Sequence, residues 1–285
     1  MPGRDAIKFI KTTFTGYTRQ SVKDIFGATV LVVAAHPDDE CVAAGALYKY
    51  LERAVFAHIT DGAPRNLVDA LARGFATASE YADARRLELH SALSLAGVRP
   101  QDCLQAGIAD QEASKRLVDA TEWVRDRIKD VEPETILTLA YEGGHPDHDA
   151  AAFAAHAAAA LLRQEGVQPP PIIECSLYHA GDGGSRRMSP GFLPREDVEP
   201  ITFILTEEDR RLKREMLDRF ITQSGVLRFF TVEDERFRPA PKYDFTLPPH
   251  DGKLYYESFD WGQDGLLWRE EAGRALARLG LPEKI

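Results

Sequence analysis

The run Thr29-Val30-Leu31-Val32-Val33-Ala34-Ala35 is apolar and rich in β-branched residues without a break. A strand lacking polar alternation has to be covered on both faces, which is the situation of a strand inside a parallel sheet. A helical pattern over 40–53 follows it, with Val42, Leu47 and Leu51 among its apolar positions. The alternation then repeats. Strand signals at 55–60, 103–105, 135–140, 172–178 and 201–205 are interspersed with helical patterns at 67–96, 115–129 and 149–163. The first of those patterns is interrupted near Gly74 and closes at Gly97. Short buried strands alternating with longer helices predict an α/β fold, a mostly parallel sheet with helices on both faces.

At 285 residues the chain is near the upper limit for one hydrophobic core, so a single elaborated domain is expected. Its core is placed at about 28–225, with an irregular, aromatic-rich extension over 226–285. The Gly-, Ser- and Pro-rich stretch 181–200 reads as a loop, and Thr206-Glu207-Glu208-Asp209 as the capped start of a helix through Leu212, Met216 and Phe220. With 44% hydrophobic and 28% charged residues the chain has a globular balance. A net charge of −10 repels polyanions, so a small-molecule partner is expected rather than nucleic acid. The start, Met1-Pro2-Gly3-Arg4-Asp5, lacks the apolar stretch of a signal peptide, and no apolar run is long enough to span a membrane. Cys41, Cys103 and Cys175 are isolated thiols without CxxC spacing, which fits a reducing cytoplasm.

Two segments carry chemistry. His36-Pro37-Asp38-Asp39-Glu40 follows the first long strand, and His145-Pro146-Asp147-His148 follows the strand near 135–140. Open α/β sheets bind ligands beyond the carboxyl ends of their strands, so segments far apart in sequence can meet there. Imidazole and carboxylate donors suit zinc or iron(II), and three protein ligands leave a position open for water. The competing explanation is that the carboxylates cap helices while the histidines bond within their loops. One such segment would favour that explanation; two at equivalent strand ends favour a metal site.

Ala35-His36-Pro37-Asp38-Asp39-Glu40 together with His145-Pro146-Asp147-His148 resembles the paired signatures of the PIG-L and LmbE-like de-N-acetylases. Arg85-Arg86-Leu87-Glu88, running into Leu95-Ala96-Gly97-Val98, is similar to that family's Arg-x-x-Glu helix and the turn after it. The resemblance implies a Rossmann-like sheet and metal-dependent removal of an N-acetyl group from an N-acetylglucosamine-like sugar. It implies zinc as the usual cation, with iron(II) or another divalent ion as alternatives, and His36, Asp39 and His148 as its ligands. By the same mapping Asp38 is the general base, His145 stabilises the oxyanion as a protonated imidazole, and Asp147 orients His145. Arg85 and Asp110 match substrate-side positions. These roles are chemically coherent, since a cation acidifies water and polarises an amide while a carboxylate accepts the proton and a second donor meets the oxyanion.

Other residues carry blander readings. Arg85 and Glu88 at i,i+3 spacing could be a surface ion pair, and Asp110 a turn former. Ala63-Pro64 replaces the acidic residue that often follows the family's Thr60-Asp61-Gly62 turn. His58 and His156 read as structural, and Cys41 as a small buried residue. Rival functions are an amidase on a related thiol or sugar conjugate, an iron(II) oxygenase using a two-His, one-carboxylate triad, and a non-enzymatic ligand-binding module. The α/β pattern and the absence of a Gly-rich phosphate loop weigh against the last two.

Overall fold

The computed structural model describes residues 13–181, 188–196 and 198–285; residues 1–5 and, within the 181–200 connection, 182–187 and 197 lie outside the described residues. The strands are β1 (Thr13–Phe14), β2 (Thr29–Ala34), β3 (Arg53–Thr60), β4 (Cys103–Ile108), β5 (Thr135–Leu139), β6 (Ile172–Cys175), β7 (Tyr178–Ala180), β8 (Met188–Pro190), β9 (Ile201–Ile204) and β10 (Asp234–Pro239). Eight of them form one sheet in the order β1-β9-β10-β6-β5-β2-β3-β4, while β7 and β8 pair as a separate antiparallel ribbon. Pairing in the sheet is parallel except for β10, which runs against both β9 and β6.

The unbroken apolar run earns its place at the centre. β2 lies between β3 and β5, and Val30, Leu31 and Val33 are fully buried. From β2 the chain crosses to β3 on one side, and from β4 it crosses back to β5 on the other. Right-handed crossovers leaving in opposite directions place their helices on opposite faces and open a crevice at the carboxyl ends of β2 and β5. The helices Leu117–Val131, Pro146–Gln164 and Gly265–Leu279 pack together, as do Asp39–Ala44 and Ala78–Ser94 against Glu207–Leu217. Among the described residues no helix is long and apolar enough to cross a membrane.

Several elements differ from expectation for local reasons. The helix expected over 40–53 stops at Ala44, because the Ala46 N–H donates to Glu235 Oε1 (2.9 Å) instead of continuing the ladder. The 67–96 pattern breaks at Gly74, where φ is 83°, and restarts at Ala78 behind a Thr77/Glu80 capping box. The helix placed at 149–163 already starts at Pro146, with His145 as its N-cap. The loop read over 181–200 contains β8.

The largest correction concerns 226–285, which is not irregular: it supplies β10 inside the main sheet and the 15-residue helix Gly265–Leu279. The buried charges of β10 are paired, Glu235 with Lys213 (3.0 Å) and Arg238 with Glu174 (2.8 Å). Pairing is what lets a charged hexapeptide occupy an interior strand.

Candidate active site

The turn after β2 folds back on itself. The His36 N–H donates to Asp39 Oδ2 (2.8 Å), which points the Asp39 carboxylate across the crevice from the start of its helix. Its two oxygens face two imidazoles: Oδ2 lies 3.3 Å from His36 Nδ1, and Oδ1 lies 3.1 Å from His148 Nε2. His148 reaches it from the first turn of Pro146–Gln164. Burial alone would raise the Asp39 carboxyl, but His148 and His36 hold it well below the usual carboxylate range.

Between those two residues the backbone of Asp38 adopts φ 145°, ψ −30°, a region L-residues rarely occupy and that costs on the order of 1–3 kcal/mol. Arg85 holds it there. The guanidinium donates to Asp38 Oδ2 (3.0 Å), Pro37 O (2.9 Å) and Gly62 O (2.6 Å). Gly62 is required at that approach, since its φ is 69° and a Cβ would lie 2.3 Å from Arg85 Nη1. Burial pushes the Asp38 carboxyl up to about 7 against the opposing pull of Arg85. The i,i+3 pair of Arg85 with Glu88 does not form; Glu88 instead accepts from Thr222 N (2.9 Å) and Thr222 Oγ1 (2.6 Å).

His145 caps its helix by accepting the Asp147 N–H at Nδ1 (3.1 Å). An Nδ1 that accepts carries no proton, so this ring is neutral with its hydrogen on Nε2. Desolvation, with the His36 and His148 rings beside it, lowers its pKa well below the ordinary value. This corrects the expectation of a protonated imidazole. It also corrects the role of Asp147, which orients His145 through its backbone amide and not its carboxylate. The Asp147 carboxylate accepts from Gln111 N (2.6 Å) and Ala113 N (3.1 Å) and lies 3.3 Å from His36 Nε2. Gly144, just before His145, has no room for a side chain: a Cβ would lie 2.2 Å from Tyr178 O.

The crevice also gathers Asp110, whose Oδ1 is 3.2 Å from His36 Nε2 yet has no hydrogen bond of acceptable geometry although it is buried. Two groups of donor atoms lie within 4.8 Å of one another: His36, His145 and His148, and His36, Asp110, His145 and Asp147. Buried imidazoles facing carboxylates fit a divalent cation by the chemistry of the donors. The bland readings hold elsewhere. His58 Nε2 contacts Glu40 Oε2 (2.9 Å) in the core, His156 packs on Tyr243 and Phe245, and Cys41 is buried.

Two neighbours of the site escaped sequence reading. The Tyr178 ring lies 5.3 Å from His148, and Trp261 lies 4.7 Å from His145. Tyr178 closes the strand signal at 172–178 and Trp261 sits in the aromatic-rich tail, and neither has a spacing that points to a site.

The family model described as GlcNAc-PI de-N-acetylase, PIG-L, matches residues 31–159. Residues 31–159 are PIG-L-like in sequence. Both His-Pro-Asp segments, Arg85 and Asp110 lie within that stretch. No curated protein matches by sequence. Among solved structures, the A40926 pseudoaglycone deacetylase Dbv21 is 20% identical, with a TM-score of 0.56 over 74% of this chain and 96% of that one. A deacetylase of the teicoplanin biosynthesis pathway is 17% identical, with a TM-score of 0.57 over 74% of this chain and 97% of its own. At these identities the likeness establishes the fold on which the PIG-L-like stretch is built.

Proposed function

We propose that the chain is a metal-dependent N-deacetylase that removes an acetyl group from an N-acetylglucosamine-like amino sugar or its conjugate. One observation carries this reading: the buried Asp39 carboxylate is faced by imidazoles from both His-Pro-Asp segments, directly beside a strained Asp38. The PIG-L match over 31–159 supports it. His36, Asp39 and His148 would hold the cation, with zinc favoured by an N/O donor set and iron(II) or another divalent ion able to substitute. When bound, such a cation lowers the pKa of a coordinated water and polarises the amide carbonyl.

The remaining chemistry belongs to the side chains. Asp38 accepts the proton of the attacking water, and a carboxyl pushed up to about 7 is matched to giving that proton on to the leaving amine near neutral pH. His145, with its proton on Nε2, donates a hydrogen bond to the oxyanion. Asp110 keeps one carboxylate oxygen for a substrate hydroxyl. Arg85 is committed to three acceptors, so its part is to position and tune Asp38 rather than to grip substrate. Water adds across the amide, and acetate and a free amine leave.

The ligand assignment is tested by elemental analysis. His148→Ala is expected to fall well below one metal per chain, while His145→Ala keeps its metal and loses turnover. Equal metal content in His148→Ala and the parent protein would overturn the assignment.

Arg85 gives a pH-dependent prediction. Its charge lowers the pKa of Asp38, so Arg85→Met raises it, and Asp38 must be ionised to act. The acid limb of the rate profile should therefore move to higher pH. A midpoint that stays in place or moves down removes Arg85 as the tuning group.

A further inference from the structure

The backbone of Asp38, at φ 145° and ψ −30°, is held from more directions than Arg85 alone supplies. A rare conformation persists only where its surroundings over-determine it. The Pro37–Asp38 peptide is gripped at both of its polar atoms. Arg85 Nη2 donates to Pro37 O (2.9 Å), and the Asp38 N–H, which points the other way in a trans peptide, donates to Glu40 Oε2 (3.1 Å). On the far side of the Cα, Asp38 O accepts from Cys41 N and Val42 N, both at 3.0 Å. With the groups before and after the Cα fixed, φ and ψ have no freedom to relax.

Glu40 is an uncommon anchor for such a grip. It is 1% exposed, and among the described residues no lysine or arginine is ion-paired with it. Its partner is His58, fully buried, whose Nε2 lies 2.9 Å from the same Oε2. With its hydrogen on Nε2, the tautomer that bonds, the ring donates to that oxygen. His58 stands on β3 in register with Ala34, the last residue of β2. The centre of the sheet therefore reaches the Asp38 N–H through two side chains. A buried ionisable pair is often no more stabilising than apolar residues of the same volume, so stability is a poor reason for this one and the placement of Asp38 is a better one.

We infer that Glu40 and His58 are positioning residues: together they hold the Asp38 N–H and so aim the carboxylate that takes the proton from water. This rests on the deacetylase reading above and deepens it. Neither acts on the substrate itself; both act through Asp38. A reacting group displaced by about 1 Å can lose about a hundredfold in rate, and that is the loss expected when the grip is removed.

The test measures acetate release from N-acetylglucosamine, metal content and the crystal structure of each variant. The double variant Glu40→Met with His58→Leu removes both polar groups together, which avoids stranding either one. It should keep the metal content and KM of the parent and lose about a hundredfold in kcat, with Asp38 relaxing from φ 145° to negative φ. Glu40→Gln, which still offers an oxygen to the Asp38 N–H, should keep φ 145° and most of the parent kcat. If the double variant does not fold, His58→Met removes the outer link alone and should lower kcat by about tenfold. A double variant with the parent kcat or with Asp38 still at φ 145° overturns the inference, as does a Glu40→Gln that falls as far as the double variant or a His58→Met that runs at the parent rate. A parent that releases no acetate removes the deacetylase reading alone, because the Asp38 backbone is read without turnover.

Discussion

Asp38→Asn is expected to keep its metal and lose turnover by about a hundredfold to ten-thousandfold, the range that a positioned general base supplies. The substitution is nearly isosteric, so Arg85 can still donate to the remaining carbonyl oxygen and the Asp38 backbone keeps its φ of 145°. What disappears is the capacity to take a proton from water. The neighbouring Asp39 cannot replace it, because both of its oxygens already face imidazoles. Metal content and acetate release on the same preparation separate the two roles. An Asn variant that retains most of its rate would remove Asp38 as the base, and one that loses metal would move it into the ligand set.

Arg238→Met should cost about 3–5 kcal/mol of stability, because breaking a buried ion pair strands the partner charges. Arg238 is 2% exposed and donates to Glu174 Oε2 (2.8 Å), Glu142 Oε1 (3.0 Å), Tyr243 Oη (3.1 Å) and Leu193 O (3.2 Å). Methionine keeps much of the volume and removes the only cation in those contacts. The expected drop in Tm is on the order of 10 °C. Burial already pushes the Glu142 carboxyl up to about 8 against the pull of Arg238, and removing Arg238 raises it further. Parent and variant share the same unfolded carboxyl, so the pH dependence of the deficit comes only from the gap between their two folded values: the deficit should shrink as pH falls from the variant's higher value toward 8 and stay level below it. Adding Glu174→Gln should recover part of the loss. A single variant within about 1 kcal/mol of the parent would show that the network contributes little.

The α/β frame and the two converging segments were legible because their signals are local. A strand covered on both faces has to read as an unbroken apolar run, as 29–35 does, and the residues that converge at its end lie within a few positions of one another in each segment. The crevice then follows from strand order, which parallel pairing makes nearly obligatory.

Partner choice among charged and aromatic groups was settled only by the tertiary structure. Asp-Glu-Arg-Phe-Arg-Pro at 234–239 reads as solvated until Lys213 and Glu174, distant in sequence, neutralise its inward residues. The helix Gly265–Leu279 hides its period, since Leu266 and Leu267 are 60% and 44% exposed while Trp268 is fully buried. Arg85 had Glu88 one turn away and chose Asp38, because the helix face carrying it points into the crevice, where a buried carboxylate and two carbonyls offer more than a hydrated surface pair. His145 could have been charged or neutral on sequence grounds; one backbone N–H at Nδ1 makes it neutral. Local sequence specifies which groups are present and on which strand end they sit. Which of them touch, and in which protonation state, depends on desolvation and geometry contributed by every element packed around them.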